Sequence, residues 1–395
     1  MIGRRAFVLG CCCCAFDALA QTAVAPWSSP QRFVRPLDDS EEGGLWALMD
    51  REEARLKRSA FLVRDPALNK YVSDIACRLA GEHCPDMRVY LVRTPVFNAS
   101  MAPNGMMQVW SGLLLRTSNE AQLAAVLGHE IGHYMARHTL DRLRDVKQRA
   151  AFGQFLGIAL AAARMGSVGN LAQLGVMASL FSYGRDQERE ADRIGIELMA
   201  RAGYAPAEAS TIWTQMLDEI KGDSASSEEY ASRSVLFASH PPMEERQELL
   251  AAAAKELARP EAVNLGADGY RTALAPFRTT FLEDELRRRR YGETLVLLDR
   301  MQKARAADGE LAYFQGEVYR LRNDKDDLDR ALTAYRHAES MPGAPPELFR
   351  SEGFVLRNLK QDPEAAAAFR RYLELKPAAQ DAELIRSLMP AEVKK

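Results

Sequence analysis

The chain has 395 residues, with 52 Lys and Arg against 54 Asp and Glu, for a formal net charge of −2. So even a balance excludes a protein held to a polyanion by a basic surface, and no nucleic-acid partner is expected. Hydrophobic residues make up 47% of the chain, and its length allows two or three globular domains.

The chain opens on Arg4-Arg5 and an apolar run from Ala6 to Phe16, followed by the small residues of Ala18-Leu19-Ala20. This is the pattern of an export signal over residues 1–20, used by the general or the twin-arginine route. Val8-Leu9-Gly10-Cys11 also reads as a lipidation box, but the apolar run before it is short, so cleavage after Ala20 is preferred. Cleavage removes four clustered cysteines and leaves Cys77 and Cys84. In an oxidising compartment such a pair reads as a disulfide over a short loop, worth about 2–3 kcal/mol.

Val89–Val92 and Met106–Trp110 read as two strands. Thr117-Ser118-Asn119-Glu120 then reads as the start of a helix, with capping side chains ahead of a carboxylate in the first turn. The helix is apolar enough to belong inside a domain, and it carries His129-Glu130-Ile131-Gly132-His133. Residues i and i+4 share a helical face, so the two imidazoles can address one metal ion. Glu130 stands where it can take a proton from water and pass it to a leaving amine. His138 is nine residues beyond His129, about half a turn round a continuous helix, and is expected off the ligand face. His83 and His337 are expected to be satisfied or surface imidazoles.

Ala151–Ala163 and Leu171–Phe181 form an apolar stretch, each half shorter than the roughly 20 residues that span a bilayer. It reads as a lid over the site, as a segment buried on the core, or as a membrane-surface contact through residues 151–181. Beyond it, Glu188 and Asp192 are again i and i+4, while Glu190 points about 200° away from Glu188. A catalytic zinc takes three protein ligands and keeps one position open. Glu188 is therefore assigned to the metal with His129 and His133, and one Zn2+ per chain is the expected cofactor. Asp192 is placed behind them, where a carboxylate commonly orients a ligand histidine.

Four blocks carry a family resemblance. They are Asn98-Ala99-Ser100 with Pro103-Asn104-Gly105, Leu123–Gly128 leading into the histidine motif, Glu188–Asp192, and Ser239-His240-Pro241-Pro242-Met243-Glu244-Glu245-Arg246. The segment from Tyr71 to Arg246 resembles the HtpX-like gluzincin peptidases of family M48, most of all their periplasmic BepA-type members. The resemblance implies Glu188 as a zinc ligand. It makes His240 a fourth ligand that holds the enzyme off, and Arg246 a group stabilising the oxyanion or the substrate carbonyl. From the residues alone, His240 is a loop histidine among prolines. The resemblance further implies a periplasmic endopeptidase acting on unfolded or misassembled polypeptides and assisting outer-membrane protein assembly. An edge strand beside the active helix would then pair with extended substrate.

The C-terminal third is periodic. Gly316, Tyr319, Ala331, Tyr335, Ala338 and Pro342 are answered by Gly353, Ala365, Phe369, Tyr372 and Pro377, with Ala331 to Ala365 and Tyr335 to Phe369 both 34 apart. That is the period of a tetratricopeptide repeat. The polar insert Asn323–Asp327 falls in one repeat's turn, and Phe281–Lys303 reads as a third, degenerate unit. The basic run Arg287–Arg290, preceded by three acidic residues, reads as a solvated helix face. Stacked repeats display a concave surface, so a docking platform for clients or for the outer-membrane assembly machinery is expected.

The expected architecture is α+β and mostly helical: a gluzincin metallopeptidase domain at 21–260, then an α-solenoid of tetratricopeptide repeats at 261–395. The competing class is a chaperone or adaptor that binds clients through the repeats and keeps its zinc site latent or structural. His240 keeps that class in view, because four protein ligands are the pattern of structural zinc.

Overall fold

The structure, a computed structural model, describes residues 27–148, 183–223, 240, 244–257, 264–305 and 307–389. The expected export signal, Cys11 and the apolar stretch 151–181 lie outside the described residues. Among those described, no helix is long and apolar enough to cross a membrane.

The first helices start where their caps dictate. Ser40 accepts from Gly43 N at the head of α1 (Glu41–Leu56), and Asp65 accepts from Leu68 N at the head of α2 (Pro66–Ala80). A 3-10 turn, Gly81–Asp86, follows, and the Cys77–Cys84 disulfide ties it back to α2. Three strands come next: β1 (Arg88–Val92), β2 (Ala99–Met101) and β3 (Met106–Trp110), in the order β1-β3-β2. β1 runs parallel to β3 with Leu91 opposite Val109, and β2 runs antiparallel to β3. The sequence pattern gives β1 and β3. It does not give β2, since three residues are too few to display an alternation.

Helix α3 (Ser111–Arg116) leads into α4 (Glu120–Met135), which Asn119 caps by accepting from Gln122 N at 2.8 Å. Every residue of α4 is buried, so neighbours surround it on all sides. Arg137 then takes the left-handed conformation, φ 60°, and α5 (His138–Gln148) sets off in a new direction. Along α4 lies α6 (Arg185–Arg201), and glycines let the two backbones touch. A Cβ on Gly132 would stand 2.7 Å from Ala191 O, and one on Gly195 2.8 Å from His129 N. This close approach brings the carboxylates of α6 to the histidines of α4. α7 (Glu208–Gly222) and α8 (Glu244–Leu257) close the other side, and Tyr270 of α9 (Ala267–Leu274) donates to Leu114 O.

The remaining helices are α10 (Arg278–Arg287), α11 (Tyr291–Lys303), α12 (Gly309–Arg322), α13 (Asp327–Glu339), α14 (Glu347–Asn358), α15 (Asp362–Leu375) and α16 (Ala382–Ser387). α12 packs on α13, α14 on α15, and α13 on α14. Gly316 lies against the Tyr335 ring and Gly353 against the Phe369 ring, too close for any Cβ, so the small and aromatic positions of the period meet inside each helix pair. Asn323 and Asp326 turn the chain between α12 and α13 with positive φ, and buried Asp327 accepts from Arg322 there.

The two halves share a buried ionic junction. Arg116, at the end of α3, bonds Glu219 of α7 and Glu285 of α10, both at 2.7 Å, and Arg300 of α11 also reaches Glu219. Arg288 joins Glu285 to Glu293. This corrects the reading of Arg287–Arg290 as a solvated face: Arg287 is exposed, but Arg288 is drawn into the junction.

Candidate metal centre

His129 and His133, one turn apart on α4, both turn Nε2 toward Glu188 of α6. The two Nε2 atoms are 3.0 Å apart, and Glu188 oxygens lie 3.5 Å from His129 and 3.3 Å from His133. His240 completes the set, its Nδ1 2.9 Å from Glu188 Oε1 and 3.2 Å from His129 Nε2. All four are buried and offer ligand atoms within 4.8 Å of one another. A tetrahedral ion with bonds of about 2.0–2.1 Å separates its ligand atoms by ~3.3 Å, so the spacing fits one metal.

The protons also argue for a cation. Asp192 Oδ1 lies 2.9 Å from His129 Nδ1, and a carboxylate can only accept, so this nitrogen carries the ring proton. In the neutral ring that a metal ligand requires, the Nε2 atom is then bare and faces the Glu188 carboxylate. With the imidazoles neutral, Glu130, Glu188 and Asp192 set against Arg246 leave two negative charges at a largely buried site. A divalent cation balances them.

Arg246 donates through Nε and Nη2 to Asp192, both at 2.6 Å, with Nη1 3.2 Å from Glu188 Oε2, and its guanidinium stacks 4.0 Å from the Trp213 ring centroid. It is committed to holding the carboxylates of α6 in place. Burial works against the Asp192 carboxylate, but Arg246 and His129 outweigh it and hold the group below its usual range. For His129, burial and Arg246 oppose a positive charge, yet Asp192 and Glu188 lift the imidazole to about 9. Burial pushes the Glu130 carboxyl up, and nearby His240 and His129 draw it back. His240 Nε2 faces Glu130 Oε1 at 3.5 Å, so the same side chain touches the metal set and covers the carboxylate beside it.

The structure thus brings together His129, His133, Glu188, His240, Glu130, Asp192 and Arg246. His83 is a satisfied core imidazole, its Nε2 3.0 Å from Pro30 O, and His337 is exposed. His138 stays off the ligand face, as expected, but the turn at Arg137 swings it behind His133, bringing its Nδ1 to 2.9 Å from His133 Nδ1. Sequence reasoning also misses Tyr183, stacked on the His133 ring at 3.8 Å, and Trp213 under Arg246. Neither has a signal in local spacing, since each reaches the site from another helix or loop.

A mononuclear metal centre on a two-histidine helix, with a free carboxylate next to the first ligand, places the molecule in the class of metal-dependent hydrolases. Residues 63–254 match the model of peptidase family M48. The beta-barrel assembly-enhancing protease of Escherichia coli K12 is 31% identical over 180 residues, covering 42% of this chain and 36% of that protein. A putative protease of the same name from Vibrio cholerae is 29% identical over 201 residues, covering 48% and 40%. The mitochondrial metalloendopeptidase OMA1 of Schizosaccharomyces pombe is 32% identical over 166 residues, covering 41% and 48%. In each case the match spans less than half of the relative's own length.

Proposed function

We propose that the chain is a zinc-dependent endopeptidase, with His129, His133 and Glu188 as zinc ligands and His240 as a displaceable fourth. The observation that carries the reading is the convergence of bare Nε2 atoms and the Glu188 carboxylate beside a buried Glu130 that the ligand set does not need. Held by these residues, zinc would supply Lewis acidity toward a peptide carbonyl and a water nucleophile near neutral pH. Glu130 takes the proton of the attacking water and delivers it to the leaving amine. Asp192 keeps His129 in its Nδ1–H tautomer, and Arg246 anchors Asp192. For Arg246 to meet a substrate carbonyl as well, its contact with Glu188 would have to loosen.

Digestion of casein by wild type and by Glu130→Gln tests the reading, with zinc measured in both proteins. Equal cleavage by the two would sink the peptidase assignment, and purified protein without zinc would sink the metal.

We further propose an export signal at 1–20, a peptidase domain at 21–260 and tetratricopeptide repeats at 261–395, with α9 joining the last two. Two features support the repeats: the 34-residue period, and the repeated glycine–aromatic contact inside each helix pair. Similarity to beta-barrel assembly-enhancing proteases supports a periplasmic quality-control role on misfolded or stalled chains, with the repeats docking outer-membrane assembly machinery. The second reading, a chaperone or adaptor with a latent centre, is favoured by one observation: His240 fills the fourth corner. Faster casein cleavage by His240→Ala supports a latch on a working enzyme. An inert His240→Ala that still holds zinc supports the adaptor.

A further inference from the structure

The two histidines of α4 are held by different devices. His129 gives its Nδ1 proton to a carboxylate anchored by a guanidinium. His133 meets no carboxylate on that side. Its Nδ1 lies 2.9 Å from Nδ1 of His138, which is 2% exposed, and the far nitrogen of His138 lies 3.3 Å from Glu190 Oε2.

The direction of each proton follows from Glu190. A carboxylate accepts only, so His138 carries its proton on Nε2 and leaves Nδ1 bare. Bare Nδ1 can only accept, so His133 carries its proton on Nδ1 and presents a bare Nε2 to Glu188 and His129. With the opposite tautomers, the bare Nε2 of His138 would face the Glu190 carboxylate with no proton between them. The same turn fixes the ring's plane. Thr139, next in the chain, is hydrogen-bonded at 2.9 Å to the hydroxyl of Tyr183, whose ring stacks on His133 at an interplanar angle of 17°.

We propose that His138 is a positioning residue for the metal centre: with Glu190 behind it, it locks the tautomer and orientation in which His133 can ligate. The proposal rests on the metal reading above. Outer partners of this kind are typically worth 10–100-fold in metal affinity.

The test is zinc affinity, measured by competition with a chromophoric chelator, together with the visible spectrum of the Co2+-substituted protein. His138→Leu, which removes the acceptor, should weaken zinc by about 10–100-fold and alter the Co2+ spectrum. His138→Asn, whose amide oxygen can accept from His133 Nδ1, should stay within about threefold of wild type, as expected when the hydrogen bond is kept. Wild-type affinity in His138→Leu overturns the proposal, as does an Asn variant as weak as the Leu variant, because packing alone would then explain both. Should His138→Leu not fold, Glu190→Ala alters an exposed side chain and carries the test. Weakened zinc supports the relay, and unchanged affinity overturns it. A wild type that binds zinc while His138→Leu matches it removes this inference alone. A wild type that binds none removes the metal reading and this inference with it.

Discussion

Two clusters of buried charge stand in this molecule, and they are built on opposite principles. At the junction of the two halves, three guanidiniums, Arg116, Arg288 and Arg300, face three carboxylates, Glu219, Glu285 and Glu293, and the charges cancel. At the metal centre three carboxylates meet one guanidinium, and three imidazoles converge on the Glu188 carboxylate. The first cluster balances its own charge and its work is to hold. The second is stable only with something added, and that incompleteness is what makes it a site. A buried charge network is therefore a functional signal when its charges and protons do not close, and a structural one when they do.

The sharpest separation of the two comes from Glu130. Glu130→Gln keeps the shape of the side chain and the metal set but removes the proposed base, so casein hydrolysis should fall by about 10²–10⁴-fold or more with zinc content and melting temperature unchanged. No substitution at the junction should reproduce that pattern of lost rate at full stability. Arg116→Met is the converse experiment. It leaves Glu219 and Glu285 buried without their shared partner, and removal of one member of a buried pair costs about 3–5 kcal/mol. Urea unfolding should show the loss, while the folded fraction binds zinc as wild type does. A variant that loses zinc but no stability would reverse the roles given to the clusters.

How much of this could be read from the chain follows the range of each interaction. His129, Glu130, His133, Glu188 and Asp192 are legible because a helix maps i and i+4 onto one face, and both pairs are local. The contact of His138 with the back of His133 is not legible because the turn at Arg137 uses a left-handed arginine, and no glycine or proline marks the break. Strand β2 is too short to carry a pattern. The junction is invisible for a different reason: Arg116 lies 103 residues from Glu219 and 169 from Glu285, and each alone looks like surface charge. Only chain topology brings them together. The helix pairs of the C-terminal half are legible at Gly316 and Gly353 because the same small-to-aromatic contact is made twice. Gly316→Ala should accordingly cost about 1–3 kcal/mol by driving a methyl into the Tyr335 ring, without touching zinc or hydrolysis of a small peptide. Full stability in that variant would mean the helix pair has slack that the packing does not show.

The smallest expected effect distinguishes the clusters by pH. Burial opposes the Glu285 carboxylate, but Arg116 and Arg288 prevail and hold it below the ordinary range. A carboxyl lowered in the folded state binds fewer protons than in the unfolded chain. Its stabilisation is thus complete above the unfolded value of about 4.3 and drains away as pH falls through the folded one. Acid also releases the metal by protonating its ligands, so the measurement is made with excess chelator, where that contribution is gone from every sample. Urea midpoints of wild type and Arg116→Met should then differ by a constant amount from pH 7 to about 5 and converge below about 4.3, because the variant has already lost the pairing that acid removes. A gap that stays constant to pH 3 would mean that Arg116 stabilises by packing rather than by charge, and the junction would no longer be the balanced counterpart of the metal centre.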